Sequence, residues 1–186
     1  MEDIDQLFED KKAFHVLDAM FSIFKQVFGY YRNADGDLFY EERVTNKNNI
    51  KYLMHAKSGS MVLLYNIKEE SIWDNAVVVE SDSSGEPTAI VAKNLSDYLR
   101  LLHQGDGFIS KVVTVAFLYK MAPDEYRTPL EAVNNLKINA IIEYTESSMT
   151  NFNDLKKYLN ENGFFKLENP VQLVWESINL EYPITI

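Results

Sequence analysis

The chain has 186 residues, of which 46% are hydrophobic and 25% are charged. This length suits one well-packed domain better than two, and this composition excludes wholesale disorder. Cysteine is absent, which excludes disulfides and thiolate metal sites and is compatible with a reducing cytosol.

The net charge of −10 argues against nucleic acid as a partner, because nucleic-acid binders concentrate Lys and Arg to displace phosphate counterions. An acidic surface favours a basic protein partner instead, with solubility alone as the alternative explanation. The opening Met1-Glu2-Asp3-Ile4-Asp5 is acidic where an export signal would be basic. The longest apolar runs, Met61 to Tyr65 and Val112 to Tyr119, are far shorter than the roughly 20 residues that span a bilayer. We therefore expect a cytoplasmic protein with no membrane partner.

The first 28 residues predict one helix, from Glu2 to about Phe28. Its apolar positions recur at spacings of three and four: Phe14, Leu17, Phe21, Phe24 and Phe28. Ala13, Val16, Met20, Ile23 and Val27 widen this stripe. Five acids, Glu2, Asp3, Asp5, Glu9 and Asp10, suit the positive end of the helix dipole. We expect the helix to be mostly buried, in the core or in a homodimer seam.

Residues 30–92 predict a sheet that starts with a hairpin over 30–44. The turn Asn33-Ala34-Asp35-Gly36-Asp37 contains an Asp-Gly-Asp that could suggest a calcium loop. The bidentate Glu that ends such a loop is missing, so we predict a turn and no metal site. Residues 50–56 fit either a strand or a helix.

The centre of this sheet is predicted from two runs that are apolar on both faces, Met61 to Ile67 and Ala76 to Val79. Such runs are typical of buried, neighbouring strands. Residues 81–87 predict a loop, and Thr88 to Val91 a short strand after it.

Residues 94–186 predict helices and one terminal edge strand. Asn94 or Ser96 can cap a helix that runs to His103 and ends at Gly105-Asp106-Gly107. Residues 109–121 favour a buried helix over a strand, and Thr128-Pro129-Leu130-Glu131 is typical of a helix start. A last helix is predicted over 153–162 with a stop at Gly163, and the edge strand over 171–175. The whole chain, 1–186, is predicted to be a single α+β domain with a mixed or antiparallel central sheet flanked by helices.

Motifs that carry catalysis or bind cofactors are missing. No glycine-rich phosphate loop, dinucleotide fingerprint or nucleophile elbow occurs. His15, His55 and His103 lie far apart; we expect His103 to cap its helix and His15 to be partly buried. The acidic pairs Glu41-Glu42 and Glu69-Glu70 point apart in a strand or turn. We therefore predict no catalytic, cofactor-binding or metal-binding residues, and a protein that is not an enzyme.

The candidate partner-binding site is an acidic segment around one tryptophan. Between residues 69 and 86 the chain contains six acids and neither Lys nor Arg. Trp is enriched at binding hot spots, and surrounding acids would steer a basic partner toward it. The alternative is a Trp packed onto the sheet edge beneath a solvated turn. The predicted site consists of Glu69, Glu70, Trp73, Asp74, Glu80, Asp82 and Glu86.

The element order over residues 59–102 resembles the SUKH superfamily, which includes bacterial toxin-immunity proteins and a yeast regulator of cell-wall synthesis. The matching segments are Gly59 to Tyr65, Ala76 to Val79, Ile90-Val91-Ala92 and Leu95 to Leu99. Asp97-Tyr98-Leu99 is similar to the family's Glu-Phe-Leu. The resemblance implies an α+β domain with helices around a sheet and a non-enzymatic role in binding a protein, most often a toxin domain from the same genome.

Three functions follow from these observations. The first is an immunity-like protein that neutralises a basic toxin domain through an acidic surface. The second is a hydrolase or transferase that uses carboxylates brought together from distant segments. The third is a regulatory or structural module that assembles through its apolar first helix.

Overall fold

Four antiparallel strands form the sheet of the described residues, and their spatial order is their order along the chain. The computed structural model describes residues 8–19, 49–55, 61–68, 71–81, 89–105, 108–109, 152–178 and 180. The strands are β1 (Ile50–His55), β2 (Met61–Tyr65), β3 (Val77–Ser81) and β4 (Ala89–Ala92). All three neighbouring pairs are antiparallel, so the sheet of this part is antiparallel and not mixed.

Helices cover one face of this sheet. They are α1 (Lys12–Ala19), α2 (Leu95–Leu101), α3 (Phe152–Glu161) and α4 (Pro170–Ile178), with a 3-10 turn over Leu102–Gln104 after α2. Helices and an antiparallel sheet together give the α+β fold that the sequence predicts. No helix in the described part of the chain has the length and apolarity needed to cross a bilayer.

The central strands β2 and β3 are buried on both faces, as predicted. Their side chains alternate between the helix-covered face and the other face. Val62, Leu64 and Val78 have no exposed surface and join the four helices in the helix-side core. Leu63 and Val79, which pair across the two strands, belong to a second cluster on the opposite face. Both faces of these strands therefore require apolar residues over the buried positions, which explains why the sequence pattern predicts them.

The ambiguous segment 50–56 contains a strand, β1, which pairs with β2. The pairing shifts between Tyr52 and Met54, so Leu53 is the extra residue of a bulge. Leu53 packs in the helix-side core, whereas Ile50 packs in the opposite-face cluster. The bulge interrupts the regular alternation, which is why periodicity alone did not distinguish strand from helix here.

Helix α2 is capped and packed as predicted. The Asn94 side chain accepts a hydrogen bond of 2.8 Å from the Asp97 backbone N–H, which makes Asn94 the N-cap in preference to Ser96. Tyr98 and Leu99 have no exposed surface. The 3-10 turn ends at Gly105, whose φ of 84° favours glycine.

The first helix starts later than predicted. Residues 8–11 are not helical, and α1 begins at Lys12. The Asp10 carboxylate accepts a hydrogen bond of 3.1 Å from the Lys12 N–H, a donor that has no acceptor within the helix, so this acid precedes the helix and stabilises its start. Phe14 and Leu17 are buried in the helix-side core, as expected. Phe21, Phe24 and Phe28 lie outside the described residues.

Helix α3 ends in a Schellman motif at Gly163. The Gly163 N–H donates to the Asn160 carbonyl (3.0 Å) and the Phe164 N–H donates to the Leu159 carbonyl (2.9 Å). Gly163 has a φ of 83°, and both Leu159 and Phe164 are buried in the helix-side core. The predicted helix over 153–162 and its stop at Gly163 are confirmed.

The predicted edge strand over 171–175 is wrong, because these residues form helix α4. Pro170 occupies the first helical position, where a missing N–H costs nothing, and the Leu173 N–H donates to the Asn169 carbonyl (3.3 Å). Val174 and Ser177, three residues apart, are the buried positions. A short apolar run does not by itself separate a strand from a helix. The predicted hairpin over 30–44 and the helix start at 128–131 lie outside the described residues, as does 109–121 apart from the helical, buried Ile109.

Candidate functional site

Three of the seven predicted site residues lie in the described part of the chain: Trp73, Asp74 and Glu80. The other four, Glu69, Glu70, Asp82 and Glu86, lie outside it. The three described residues belong to the connection between β2 and β3 and to β3 itself.

Of the two alternatives for Trp73, a partner-binding hot spot or a packed side chain beneath a turn, the structure shows the packed one. Only 4% of its surface is accessible, and it packs in the helix-side core. A turn folds the connection inward, with the Ala76 N–H donating to the Trp73 carbonyl (2.9 Å). Lys51 covers the indole, its Nζ lying 5.8 Å from the ring centroid. Burying so large an apolar surface stabilises the fold more than surrounding acids can oppose it. Trp73 is therefore not an apolar anchor on the surface.

Asp74 links the β2–β3 connection to the segment before α1. Its Oδ2 accepts a hydrogen bond of 3.4 Å from the Asp10 N–H, across 64 residues of sequence. Its Oδ1 is buried and has no hydrogen-bond partner among the residues that the structure describes. The residue as a whole is half-buried. Asp74 thus connects two chain segments through one carboxylate oxygen, while the other oxygen is buried.

Glu80 is oriented by a buried tyrosine. It lies near the end of β3, opposite Val62 and Ala89 on the neighbouring strands. Its Oε1 accepts a hydrogen bond of 3.2 Å from the Tyr98 hydroxyl, and Tyr98 has no exposed surface. Because Glu80 is itself half-buried, its carboxylate is held in one orientation between the sheet and α2.

The acidic segment is divided by β3. Asp74 precedes the strand and Glu80 lies near its end, and a five-residue strand is about 13 Å long. In sequence, Glu69 and Glu70 accompany Asp74 before β3, whereas Asp82 and Glu86 follow it. Asp74 lies three residues before β3 and Glu80 is the fourth residue of the strand, so the two described carboxylates belong to different parts of the chain. No group of three or more histidines and carboxylates in the described ranges is placed to hold a metal ion.

The buried His103 side chain connects two chain segments and does not cap its own helix. Its Nε2 lies 2.7 Å from the carbonyl oxygen of Phe164, and only 2% of its surface is exposed. Burial lowers the pKa of the imidazole, and Lys156 and Lys166 lower it further, while the Phe164 carbonyl acts in the opposite direction. A neutral imidazole with its proton on Nε2 satisfies this contact. His15, expected to be partly buried, is exposed.

Two further features were not found from the sequence. Phe165 is the exposed large hydrophobic residue of the described part, with 63% of its surface accessible. Lys93, just after β4, forms a 2.6 Å salt bridge with Glu176 on α4. Hydrogen bonds from Lys93 and Gln172 lower the pKa of Glu176. The pairing joins residues 83 apart in sequence, so no local pattern could have indicated it.

In comparisons with protein-family models, curated proteins and solved structures, nothing matches this chain.

Proposed function

We propose that this protein is a binding module that recognises a basic protein partner through the carboxylates flanking β3. The observation that carries the proposal is the charge distribution: six acids and no Lys or Arg between residues 69 and 86. Such a concentration produces a local negative potential, which steers a positively charged partner and raises its association rate.

The described carboxylates of this segment are held by the fold. Asp74 is tied to the Asp10 backbone and Glu80 to the Tyr98 hydroxyl. A carboxylate fixed before binding loses less side-chain entropy when it meets a Lys or Arg of the partner. The buried Trp73 supports this surface from beneath and does not contact the partner.

We further propose that the partner is a toxin domain and that the protein has an immunity-like role in a bacterial cytoplasm. The support is the resemblance of residues 59–102 to the SUKH superfamily together with the acidic charge. The strand order β2, β3, β4 followed by the capped helix α2 agrees with the element order on which this resemblance was based. A basic nuclease-like toxin would be the chemically complementary target.

The test is to look for a neighbouring gene that encodes a basic, toxin-like domain and to measure binding of this protein to that domain. The variant Glu70→Gln, Asp74→Asn, Asp82→Asn removes three charges from the acidic segment while it keeps side-chain size. The matched control is Asp154→Asn, Glu161→Gln, Glu168→Gln, three exposed acids on α3 and the connection after it. Both variants change the net charge from −10 to −7, because three acids become neutral.

We expect the acidic-segment variant to associate roughly tenfold more slowly at low salt, and the control to associate at nearly the wild-type rate. The difference between the variants should shrink as salt rises, because screening shortens electrostatic reach to about 8 Å near physiological ionic strength. Equal association rates for the two variants would show that overall charge matters and that this segment is not the binding surface. Absence of binding by the wild-type protein would reject the toxin partner.

A further inference from the structure

His103 connects the end of α2 to the connection between α3 and α4. It lies in the 3-10 turn after α2, and its contact to the Phe164 carbonyl spans 61 residues of sequence. That carbonyl follows the last residues of α3, and the Phe164 side chain is buried in the helix-side core. The imidazole and the buried Phe164 side chain therefore hold this non-helical segment against the body of the fold.

The surroundings of this imidazole oppose a positive charge. It is buried, and Lys156 of α3 and Lys166 of the α3–α4 connection are the charged groups of the described residues that act on it. A second proton would create a buried imidazolium that is repelled by two cations, Lys156 and Lys166. Hydrogen bonding to the Phe164 carbonyl compensates for this only in part, since the net direction of the pKa is downward.

We propose that His103 is an acid-sensitive latch, whose protonation releases the α3–α4 connection, residues 162–169, from the end of α2. Local opening lets the charged ring reach water without loss of the sheet. The connection carries Phe165, already exposed, next to Phe164, which is 5% exposed when the latch is closed. Opening would therefore present two adjacent phenylalanines to solvent.

The test is amide hydrogen exchange of the α3–α4 connection at pH 7.5 and pH 5.5, corrected for the intrinsic pH dependence of exchange. His103→Gln places a neutral amide nitrogen near the position of Nε2 and does not titrate in this range. His15→Gln changes an exposed histidine on α1 and is the matched control.

We expect opening of the connection to increase several-fold on acidification in the wild type and in His15→Gln, because the solvated ring of the open state binds a proton more readily than the buried ring. In His103→Gln it should not change with pH. Acid-induced opening that persists in His103→Gln, or equal protection of the wild-type connection at both pH values, would overturn the proposal.

A direct titration keeps the proposal testable if His103→Gln folds poorly. The chain has three histidines, so NMR can follow the His103 ring in the intact protein. We expect a midpoint below about 6.5, the ordinary value for histidine, and the same midpoint in the amide shifts of residues 164–166. Lys156→Gln and Lys166→Gln should each raise it, whereas Lys157→Gln, an exposed neighbour on α3, should not. A His103 midpoint at or above 6.5 would refute the latch.

Discussion

Two connections of this fold each carry an aromatic residue next to a charged residue, and one aromatic side chain is buried whereas the other is exposed. Trp73, between β2 and β3, is 4% exposed, whereas Phe165, between α3 and α4, is 63% exposed. Six acids surround the first in sequence, yet it is the one that enters the core. Polarity of the neighbouring residues therefore does not determine the burial of an aromatic side chain; backbone geometry does.

The geometry differs at one turn in each connection. In the first connection a turn joins the Ala76 N–H to the Trp73 carbonyl, and the indole packs in the helix-side core. In the other connection, the Schellman motif at Gly163 places Phe164 in the core. The next side chain, Phe165, points elsewhere, because successive side chains of a non-helical segment diverge.

The largest expected effect is that of Trp73→Ala. Removal of a buried indole should lower the free energy of unfolding by about 3–5 kcal/mol, through lost burial and the cavity that remains. Urea unfolding followed by circular dichroism measures this change. A loss under roughly 1 kcal/mol would mean that Trp73 is exposed and would remove the contrast between the two connections.

Gly163→Ala should have an intermediate effect. A residue with a Cβ at a φ of 83° is strained, so we expect a loss of about 1 kcal/mol in the free energy of unfolding. The added Cβ would also lie 3.2 Å from the Lys12 Nζ, a flexible group that can move. Asn160→Ala, at an exposed position of α3, is the control and should be neutral or stabilising. A fully stable Gly163→Ala protein would contradict the Schellman geometry that buries Phe164.

Acidification should lower the free energy of unfolding through His103, which contacts the α3–α4 connection. Since the pKa of His103 is lowered in the folded protein, the unfolded chain binds more protons as pH falls below about 6.5. Stability from this residue is complete above that pH and is lost as pH falls through the folded-state pKa. Urea midpoints at pH 7.5, 6.5 and 5.5 should fall in the wild type more steeply than in His103→Gln. Parallel curves would show that His103 contributes nothing to the pH dependence.

The smallest expected effect is that of Phe165→Ala. An exposed side chain away from the core should change the free energy of unfolding by less than about 0.5 kcal/mol. Phe164→Ala, its neighbour in sequence, serves as the contrasting variant and should cost about 3 kcal/mol or more. Comparable losses in both variants would show that the assignment of inward and outward phenylalanines is mistaken.

The parts of the fold that could be predicted are those with local signals. The apolar runs of β2 and β3 and the Gly163 stop depend on residues close in sequence and are predicted correctly, while the cap of α2 is predicted as one of two residues, of which the structure selects Asn94. Helix α4 was mistaken for a strand because nine residues with few buried positions give a weak period.

The sequence predicts which residues make up the candidate site but not how they are arranged. The acids of residues 69–86 are visible in sequence, but the burial of Trp73 depends on the inward turn at Ala76 and on the cover from Lys51. The division of the acids by β3 and the contact between Tyr98 and Glu80 depend on strand length and on packing across elements. Contacts such as His103 to Phe164 join distant residues and leave no local pattern.

The central claim is that the acidic surface acts through charge and that Trp73 lies beneath it. Fluorescence quenching tests this directly, since the chain has two tryptophans and Trp175→Phe leaves Trp73 as the reporter. We predict blue-shifted emission that iodide quenches poorly, with no recovery of quenching when salt screens the surrounding acids. Red-shifted emission with efficient quenching at high salt would contradict the account and return Trp73 to the partner-binding surface.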